Sequence, residues 1–189
     1  MKNKIAHLLA SYFGLGYAPK ASGTVGSLGT LPAAFAAAYF FGTAGILTAA
    51  ATAFFIGVWA THEIISHQEE KDPSLVVIDE FAGQMLTFVF AGQLLYHNTD
   101  AWLVYLIGFG LFRLFDIVKL GPVKWADSRL KNAWGVMLDD IFAGIIAGVP
   151  VTVYTYVFRY LLAPPDERMS FLLISLYPMA TILLVGYLW

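Results

Sequence analysis

Hydrophobic residues occur along this chain in long continuous runs, not in strict alternation with polar ones. Six runs approach or exceed the roughly 20 residues that a helix needs to cross a hydrocarbon core about 30 Å thick. They lie at residues 24–41, 45–66, 80–96, 101–118, 140–162 and 171–189. A backbone in lipid must satisfy its own hydrogen bonds, and continuous runs favour helices over the alternating strands of a barrel. The pattern predicts an all-α fold, a polytopic membrane helix bundle with about six spanning helices.

The first ordered segment is shorter than these runs. Residues 4–13, KIAHLLASYF, are apolar on one side but too short to span a bilayer. They predict a short N-terminal interfacial or re-entrant helix. We expect residues 1–189 to form a single membrane domain.

The amino-acid composition is typical of a membrane protein. Hydrophobic residues make up 59% of the 189 and charged residues only 13%, against about 25% charged in soluble domains. The absence of cysteine excludes disulfides and thiolate metal sites. Residues 121–135 are basic and aromatic, which suits anionic lipid headgroups. Nucleic acid is not an expected partner, because there is no extended basic surface and no recognisable module.

Basic residues are unevenly distributed between the two ends of the predicted spans. If the N-terminus is cytoplasmic and the runs alternate, all of the lysines and arginines except Arg159 and Arg168 lie on the cytoplasmic side. This is the asymmetry of the positive-inside rule. The sequence therefore predicts a cytoplasmic N-terminus, and the polar clusters described next belong to the cytoplasmic face.

Five carboxylates lie at that face. Asp79 and Glu80 begin one predicted span, Asp116 is in the last turns of another, and Asp139 and Asp140 stand at the mouth of a third. So many like charges in one bundle would repel one another, and a divalent cation would relieve the repulsion. Oxygen ligands without softer ligands select a hard ion such as Mg²⁺. We predict a Mg²⁺ site built from these five side chains.

Basic side chains near the same face predict a phosphate site. Arg113 and Asp116 are three residues apart, so they share a helical face within ion-pair reach. Charges at membrane depth usually mark a functional site, although a structural ion pair between helices is the alternative. The positive charge for a phosphate would come from four residues: Lys20, Arg113, Lys119 and Lys124.

A stretch of small residues, APKASGTVGSLGTLP at 18–32, is interpreted as a loop that leads into the first span. Gly23 and Gly26 permit close backbone approach, and Thr24 and Ser27 are candidate helix caps. The free N–H groups of the first helical turn would attract an anion. The alternative is that the small residues only let helices pack closely in lipid.

Two of the acidic segments resemble each other. DEFAG at 79–83 and DDIFAG at 139–144 both place two acids shortly before an Ala-Gly pair. The pairs Ala82-Gly83 and Ala143-Gly144 would let a neighbouring helix approach the acidic end closely.

Four segments, in this order, resemble the phosphatidylglycerophosphatase A family: GLGYAPKASGTVGSLGTLP, VIDEFAGQ, FRLFDIVKLGPVKWAD and WGVMLDDIFAGIIAG. The resemblance covers roughly residues 5–160. It implies a Mg²⁺-dependent, multi-pass phosphatase of the bacterial inner membrane that converts phosphatidylglycerophosphate to phosphatidylglycerol and inorganic phosphate. The hydrophobic run at 171–189 lies beyond this family-like core, so we expect it to be an accessory C-terminal transmembrane helix.

The resemblance implies roles for particular side chains, which match the family's motifs at Gly23, Thr24, Gly26, Ser27, Asp79, Glu80, Arg113, Asp116, Lys119, Asp139 and Asp140. In this interpretation the acids hold Mg²⁺, while Arg113, Lys119 and the N–H groups near Thr24 bind phosphate oxygens. Asp116 or Asp140 would act as general base or orient the water, with an aspartyl-phosphate intermediate as the alternative. The sequence does not indicate whether one or two metal ions bind.

Two other functions use the same residues. An ion transporter also carries intramembrane carboxylates, but its sites lie near the bilayer midplane, whereas these acids lie at span ends. A phosphatase that acts on another lipid phosphate would share the whole site. The expected partners are the lipid substrate and the bilayer, and the oligomeric state is not indicated.

Overall fold

The structure is a computed structural model that describes residues 3–66, 74–89, 91, 95 and 101–162. Every element in this part of the chain is helical, which confirms the all-α prediction. A 3₁₀ turn at Leu15–Tyr17 separates the first two of six α-helices. These are α1 (Lys4–Ala10), α2 (Ser22–Ile65), α3 (Ile78–Phe88), α4 (Ala101–Val118), α5 (Pro122–Arg129) and α6 (Ala133–Leu162).

Three of these helices are long and apolar enough to cross a membrane: α2, α4 and the Ala133–Val157 part of α6. This number, which covers only the described ranges, is smaller than the about six predicted. The run predicted at 80–96 gives α3, which has only 11 residues. The two runs predicted at 24–41 and 45–66 form one element, and the run at 171–189 lies outside the described residues.

The long helix α2 is interrupted at Gly42, whose backbone is not helical (φ 61°, ψ −151°). A Cβ atom added at Gly45 would lie 2.6 Å from the carbonyl oxygen of Ala37. In a continuous helix these residues would be about 12 Å apart along the axis. The chain therefore reverses at Gly42, where glycine tolerates the positive φ, and α2 consists of two helical arms at 22–41 and 43–65.

The short helix α1 fixes the chain just before α3. Asn3 caps α1, because its Oδ1 accepts a hydrogen bond from the Ile5 N–H at 3.2 Å. The buried residues Ala6 and Ala10 face the hydrophobic core that also contains part of α3. The carbonyl of Ala10 accepts a hydrogen bond of 2.9 Å from the Val77 N–H. The helix predicted over 4–13 is thus shorter, and it positions the first turn of α3.

Helices α3 and α6 cross with their backbones in close approach. A Cβ atom added at Gly83 would collide with the carbonyl oxygen of Asp140, and one added at Gly144 would collide with that of Gly83. Ala82 and Ala143 beside these glycines are fully buried. The prediction that the two Ala-Gly pairs admit a neighbouring helix is confirmed, and each is the other's neighbour.

The chain divides into two compact units, residues 1–151 and 152–189. The first contains α1 to α5 and the part of α6 that carries the acids. In the second, the described residues 152–162 are helical.

The crossing of α3 and α6 can be tested with two Gly→Ala variants. Gly144→Ala should destabilise the protein by about 1–3 kcal/mol, because the added methyl group meets backbone that cannot rotate away. Gly110→Ala is the matched control, since nothing lies within 4 Å of a Cβ there and alanine favours a helix by up to about 1 kcal/mol. Thermal unfolding in one detergent compares the two, and equal midpoints would contradict the crossing.

Candidate functional site

A polar cavity of about 330 Å³ opens at the end of the bundle where α3 begins and α4 ends. Each of the helices α2 to α6 contributes residues to its lining, so segments that are far apart in sequence meet at this cavity. All five predicted carboxylates reach this cavity. Its charged and polar lining residues are Ser22, Ser74, Asp79, Glu80, Asp116, Lys119, Asp127, Lys131, Asn132, Asp139 and Asp140.

The carboxylates form two groups of three, and Asp140 belongs to both. One group adds Asp79 and Glu80 to Asp140, and the other adds Asp116 and Asp139. Within each group, one oxygen atom from every residue lies within 4.8 Å of the others. Only 3% of Asp140 is exposed, and Asp79 and Asp139 are each 7% exposed. Such close, poorly solvated anions repel one another strongly, so the cluster favours a cation.

Each acidic pair has the same local geometry. The Glu80 N–H donates to Asp79 Oδ1 at 3.0 Å, and the Asp140 N–H donates to Asp139 Oδ1 at 3.1 Å. Asp79 and Glu80 lie in the first turn of α3, where the helix dipole favours negative charge. Asp139 and Asp140 lie deeper in their helix than predicted, because α6 begins at Ala133 and not at residue 140.

Arg113 lies behind the carboxylates and connects three helices. Its Nη1 is 2.8 Å from Asp116 Oδ2 and 3.8 Å from Glu80 Oε1, and it donates to Ser27 Oγ at 3.4 Å. The predicted Arg113–Asp116 ion pair is present. Arg113 does not line the cavity. It therefore orients Glu80 and Asp116, the two acids in contact with it.

Lys119 lies on the cavity side, between two carboxylates. Its Nζ is 2.6 Å from Asp127 Oδ1 and 2.9 Å from Asp139 Oδ2. Burial alone would lower the pKa of Lys119, but the hydrogen bonds and charges of Asp127 and Asp139 outweigh it and raise that pKa above its ordinary value. The ammonium group therefore stays charged.

The small-residue stretch at 18–32 is helical from Ser22 onward, which corrects its interpretation as a loop. Helix α2 begins at Ser22, and its N-cap residue Ala21 makes no side-chain capping bond. Thr24 and Ser27 do not cap the helix, because both lie within it and the Ser27 hydroxyl donates to the Gly23 carbonyl at 2.8 Å. Threonine and serine are common helix caps, which is why the sequence indicated a loop here. The helix starts earlier because glycines in its first turns allow α3 to pack against it.

These glycines serve helix packing. A Cβ atom at Gly23 would collide with the Glu80 carboxylate, and one at Gly26 would lie 2.9 Å from Val77 Cβ. The lack of side chains at Gly23 and Gly26 thus gives Glu80 and Val77 their places beside α2. Among the α2 residues only Ser22 lines the cavity.

Of the residues predicted to bind phosphate, only Lys119 lines the cavity, and five polar residues that line it were not predicted. The predicted residues that do not line it are Lys20, Gly23, Thr24, Gly26, Ser27, Arg113 and Lys124. Lys20 and Lys124 are exposed and do not line it. Asp127, Lys131 and Asn132 do line it, and they come from residues 121–135, interpreted from sequence as a headgroup-binding loop. The signal for Asp127 is its place in α5 beside the buried Ala126, which becomes clear only once α5 is known to be a helix.

The donor set fits a hard divalent cation such as Mg²⁺. Every ligand in both groups is a carboxylate oxygen, the donor that such ions prefer. Glu80 Oε2 is buried and has no hydrogen-bond partner among the described residues. A buried, unpaired carboxylate oxygen is costly unless a cation or water satisfies it.

Comparisons with known proteins agree with these motifs. The family model described as phosphatidylglycerophosphatase A matches residues 8–155. A phosphatidylglycerophosphatase A of Haemophilus influenzae is 32% identical over 150 residues, covering 79% of this chain and 88% of the relative. That of Escherichia coli is 33% identical over 141 residues, covering 75% and 78%. A protein of Bacteroides thetaiotaomicron named "Putative phosphatidylinositol-3-phosphatase" is 38% identical over 157 residues, covering 79% and 93%. No solved structure matches the chain.

The shared position of Asp140 leads to a test of metal binding by protein stability. Mg²⁺ at about 100 times its dissociation constant should stabilise the wild type by about 2.7 kcal/mol. Asp140→Asn should remove most of this gain, because both groups contain Asp140, whereas Asp79→Asn alters only one group. In EDTA, Asp140→Asn should unfold at a higher temperature than the wild type, because one repelling charge is gone.

Thermal unfolding with Mg²⁺ or EDTA measures these effects. Glu63→Gln is the control, since Glu63 does not line the cavity. An equal response to Mg²⁺ in the wild type and in Asp140→Asn would show that the cluster is not the metal site.

Proposed function

The chain belongs to the phosphatidylglycerophosphatase A family, and from this premise we propose that it hydrolyses the phosphomonoester of phosphatidylglycerophosphate. The products are phosphatidylglycerol and inorganic phosphate, and the reaction depends on Mg²⁺. The observation that carries the proposal is the pair of carboxylate groups that share Asp140 in a cavity also lined by Lys119 and Lys131. Acids that hold a cation beside basic side chains suit a phosphate ester.

The metal-binding residues are Asp79, Glu80, Asp116, Asp139 and Asp140. These carboxylates would hold the ion, and a bound divalent cation would supply positive charge to polarise the phosphate and to balance the charge that develops on its oxygens. Asp140, which is common to both groups, is the central ligand, and the five residues support one ion or two.

Positioning and electrostatics carry most of the catalysis in phosphoryl transfer. Asp116 accepts a proton from the attacking water as the new P–O bond forms. Arg113, 2.8 Å from Asp116 Oδ2, holds this carboxylate in place. The P–O bond to the glycerol breaks, and the leaving oxygen takes a proton from solvent in the open cavity. Lys119 binds a phosphate oxygen, and the N-terminus of α2, where Ser22 lines the cavity, supports another.

We place the protein in the bacterial inner membrane as a multi-pass protein with this cavity on the cytoplasmic face. The two arms of α2 are each about 20 residues long, enough to cross together with α4 and α6. The basic residues Lys119 and Lys131 lie at the cavity end, as the positive-inside rule expects on the cytoplasmic side. This arrangement gives the enzyme access to a lipid whose headgroup lies at the membrane surface.

A second candidate substrate is a phosphoinositide. The relative from Bacteroides carries a name that refers to phosphatidylinositol-3-phosphate, and it is 38% identical to this chain. Both lipids present a phosphomonoester on a polyol attached through a phosphodiester, so the same carboxylates serve either. Ion transport is less favoured, because Asp79, Glu80 and Asp116 lie in terminal turns of their helices and not near midspan.

Phosphate release from phosphatidylglycerophosphate by the purified protein tests the proposal. Activity should require Mg²⁺ and disappear in EDTA. Asp140→Asn and Asp116→Asn should each lose at least about 10²-fold in kcat, the scale of removing a catalytic acid–base group. The control Glu63→Gln should retain wild-type activity, since its side chain is outside the cavity.

Phosphatidylinositol-3-phosphate should be assayed in parallel with the same variants. Faster hydrolysis of the phosphoinositide would reassign the substrate and keep the site. No release from either lipid by folded wild type, in lipid as well as in detergent, would contradict the phosphatase proposal.

A further inference from the structure

A sixth carboxylate, Asp127, lines the cavity but belongs to neither group of candidate metal ligands. Its Oδ1 lies 2.6 Å from Lys119 Nζ, which is closer than the 2.9 Å between Lys119 and Asp139. The side chain of Asp127 is 36% exposed, against 10% for Asp139. Lys119 is therefore held from two sides, by one acid of the buried cluster and by one acid nearer to solvent.

The backbone at Lys119 is unusual. Its φ of 49° is left-handed, a conformation that few residues other than glycine adopt. Helix α4 ends one residue earlier, at Val118, so the chain turns sharply at Lys119. The strain of such a conformation persists only where the surroundings hold it. The two carboxylates that bind Nζ are the contacts that hold this side chain.

Helix α5 gives Asp127 a fixed place. Val123 on this helix is fully buried in a cluster with Phe112 of α4 and Ala143 of α6. The rings of Trp125 and Phe142 lie 6.4 Å apart, which adds a second contact between α5 and α6. The short helix is thus packed against the two helices that carry Asp116 and Asp139, and its carboxylate is directed to Lys119.

Without Asp127, the Lys119 ammonium group would contact a carboxylate of the buried cluster but none outside it. The remaining carboxylate in contact with its ammonium group is Asp139, which also belongs to the second metal group. Attraction to this cluster would draw Nζ inward, where it competes with a cation for the same oxygens. Asp127 opposes that attraction, because it binds the same ammonium group from outside both metal groups.

We propose that Asp127 is a positioning residue, which shares the Lys119 ammonium group with Asp139 and keeps it on the cavity side, oriented toward a phosphate oxygen of the substrate. The inference rests on the proposed function, since it deepens the role of Lys119 in that site. Asp127 itself touches neither phosphate nor metal. It acts through Lys119, and its effect on the reaction exists only while Lys119 is present.

A double-mutant cycle on Asp127→Asn and Lys119→Met tests this dependence. Asp127→Asn should lower kcat/KM by about tenfold, the scale of one charged hydrogen bond, mainly through a higher KM. In the Lys119→Met background the same change should alter kcat/KM by less than about twofold, because residues that act through one contact are not additive. Asp127→Glu, which keeps the charge, should recover part of the loss.

Independent, additive effects of the two substitutions would overturn the proposal, as would a loss in Asp127→Asn that appears in the unfolding temperature but not in KM. Arg129→Gln is the control on α5, because Arg129 is exposed and does not line the cavity. It should leave kcat/KM unchanged.

The same cycle should be measured on the affinity for inorganic phosphate with Mg²⁺, by calorimetry. This arm decides the case where Lys119→Met is too slow to assay. It also separates the proposed hydrolysis from the proposed role of Asp127. If the wild type binds phosphate but hydrolyses no lipid, the proposed hydrolysis is contradicted, and the coupling of Asp127 to Lys119 can still be measured. No phosphate binding by the wild type, or additive losses of affinity, would overturn the role of Asp127.

Discussion

Repulsion among carboxylates is the constraint on which this site depends. Helices α3 and α6 can cross closely only because Gly83 and Gly144 lack side chains, and the crossing carries two acidic pairs into one end of the bundle. Burial there removes the water that would screen them. The fold therefore concentrates negative charge at one point, and this cluster could hold a metal ion.

Two basic side chains, Arg113 and Lys119, balance part of this negative charge from different positions. Arg113 lies behind the cluster and compensates Glu80 and Asp116, whereas Lys119 lies on the cavity side and contacts Asp139 and Asp127. Arg113 thus reduces the repulsion among the carboxylates in the absence of a metal, whereas Lys119 faces the cavity. The proposed function would thus come at some cost in stability, because like charges are held close together.

The five carboxylates of the site could be predicted from sequence because acidic residues beside long apolar runs are rare. Charges are so costly within lipid that Asp79 and Asp116 were expected near span ends, and both lie in terminal turns, whereas Asp140 lies further inside α6 than its sequence indicated. The start of α2 could not be predicted, because glycine-rich segments have low helix propensity and the packing of Val77 and Glu80 overrides it. Asp127 was missed because its role depends on α5, whose position is set by contacts distant in sequence.

The most direct test of the account is a structure determined with Mn²⁺ in place of Mg²⁺, with the ion located by its anomalous scattering. The account predicts a bound ion in contact with Asp140 and with carboxylates of at least one of the two groups. An ion bound elsewhere in an active protein, or no ion at saturating Mn²⁺, would contradict it.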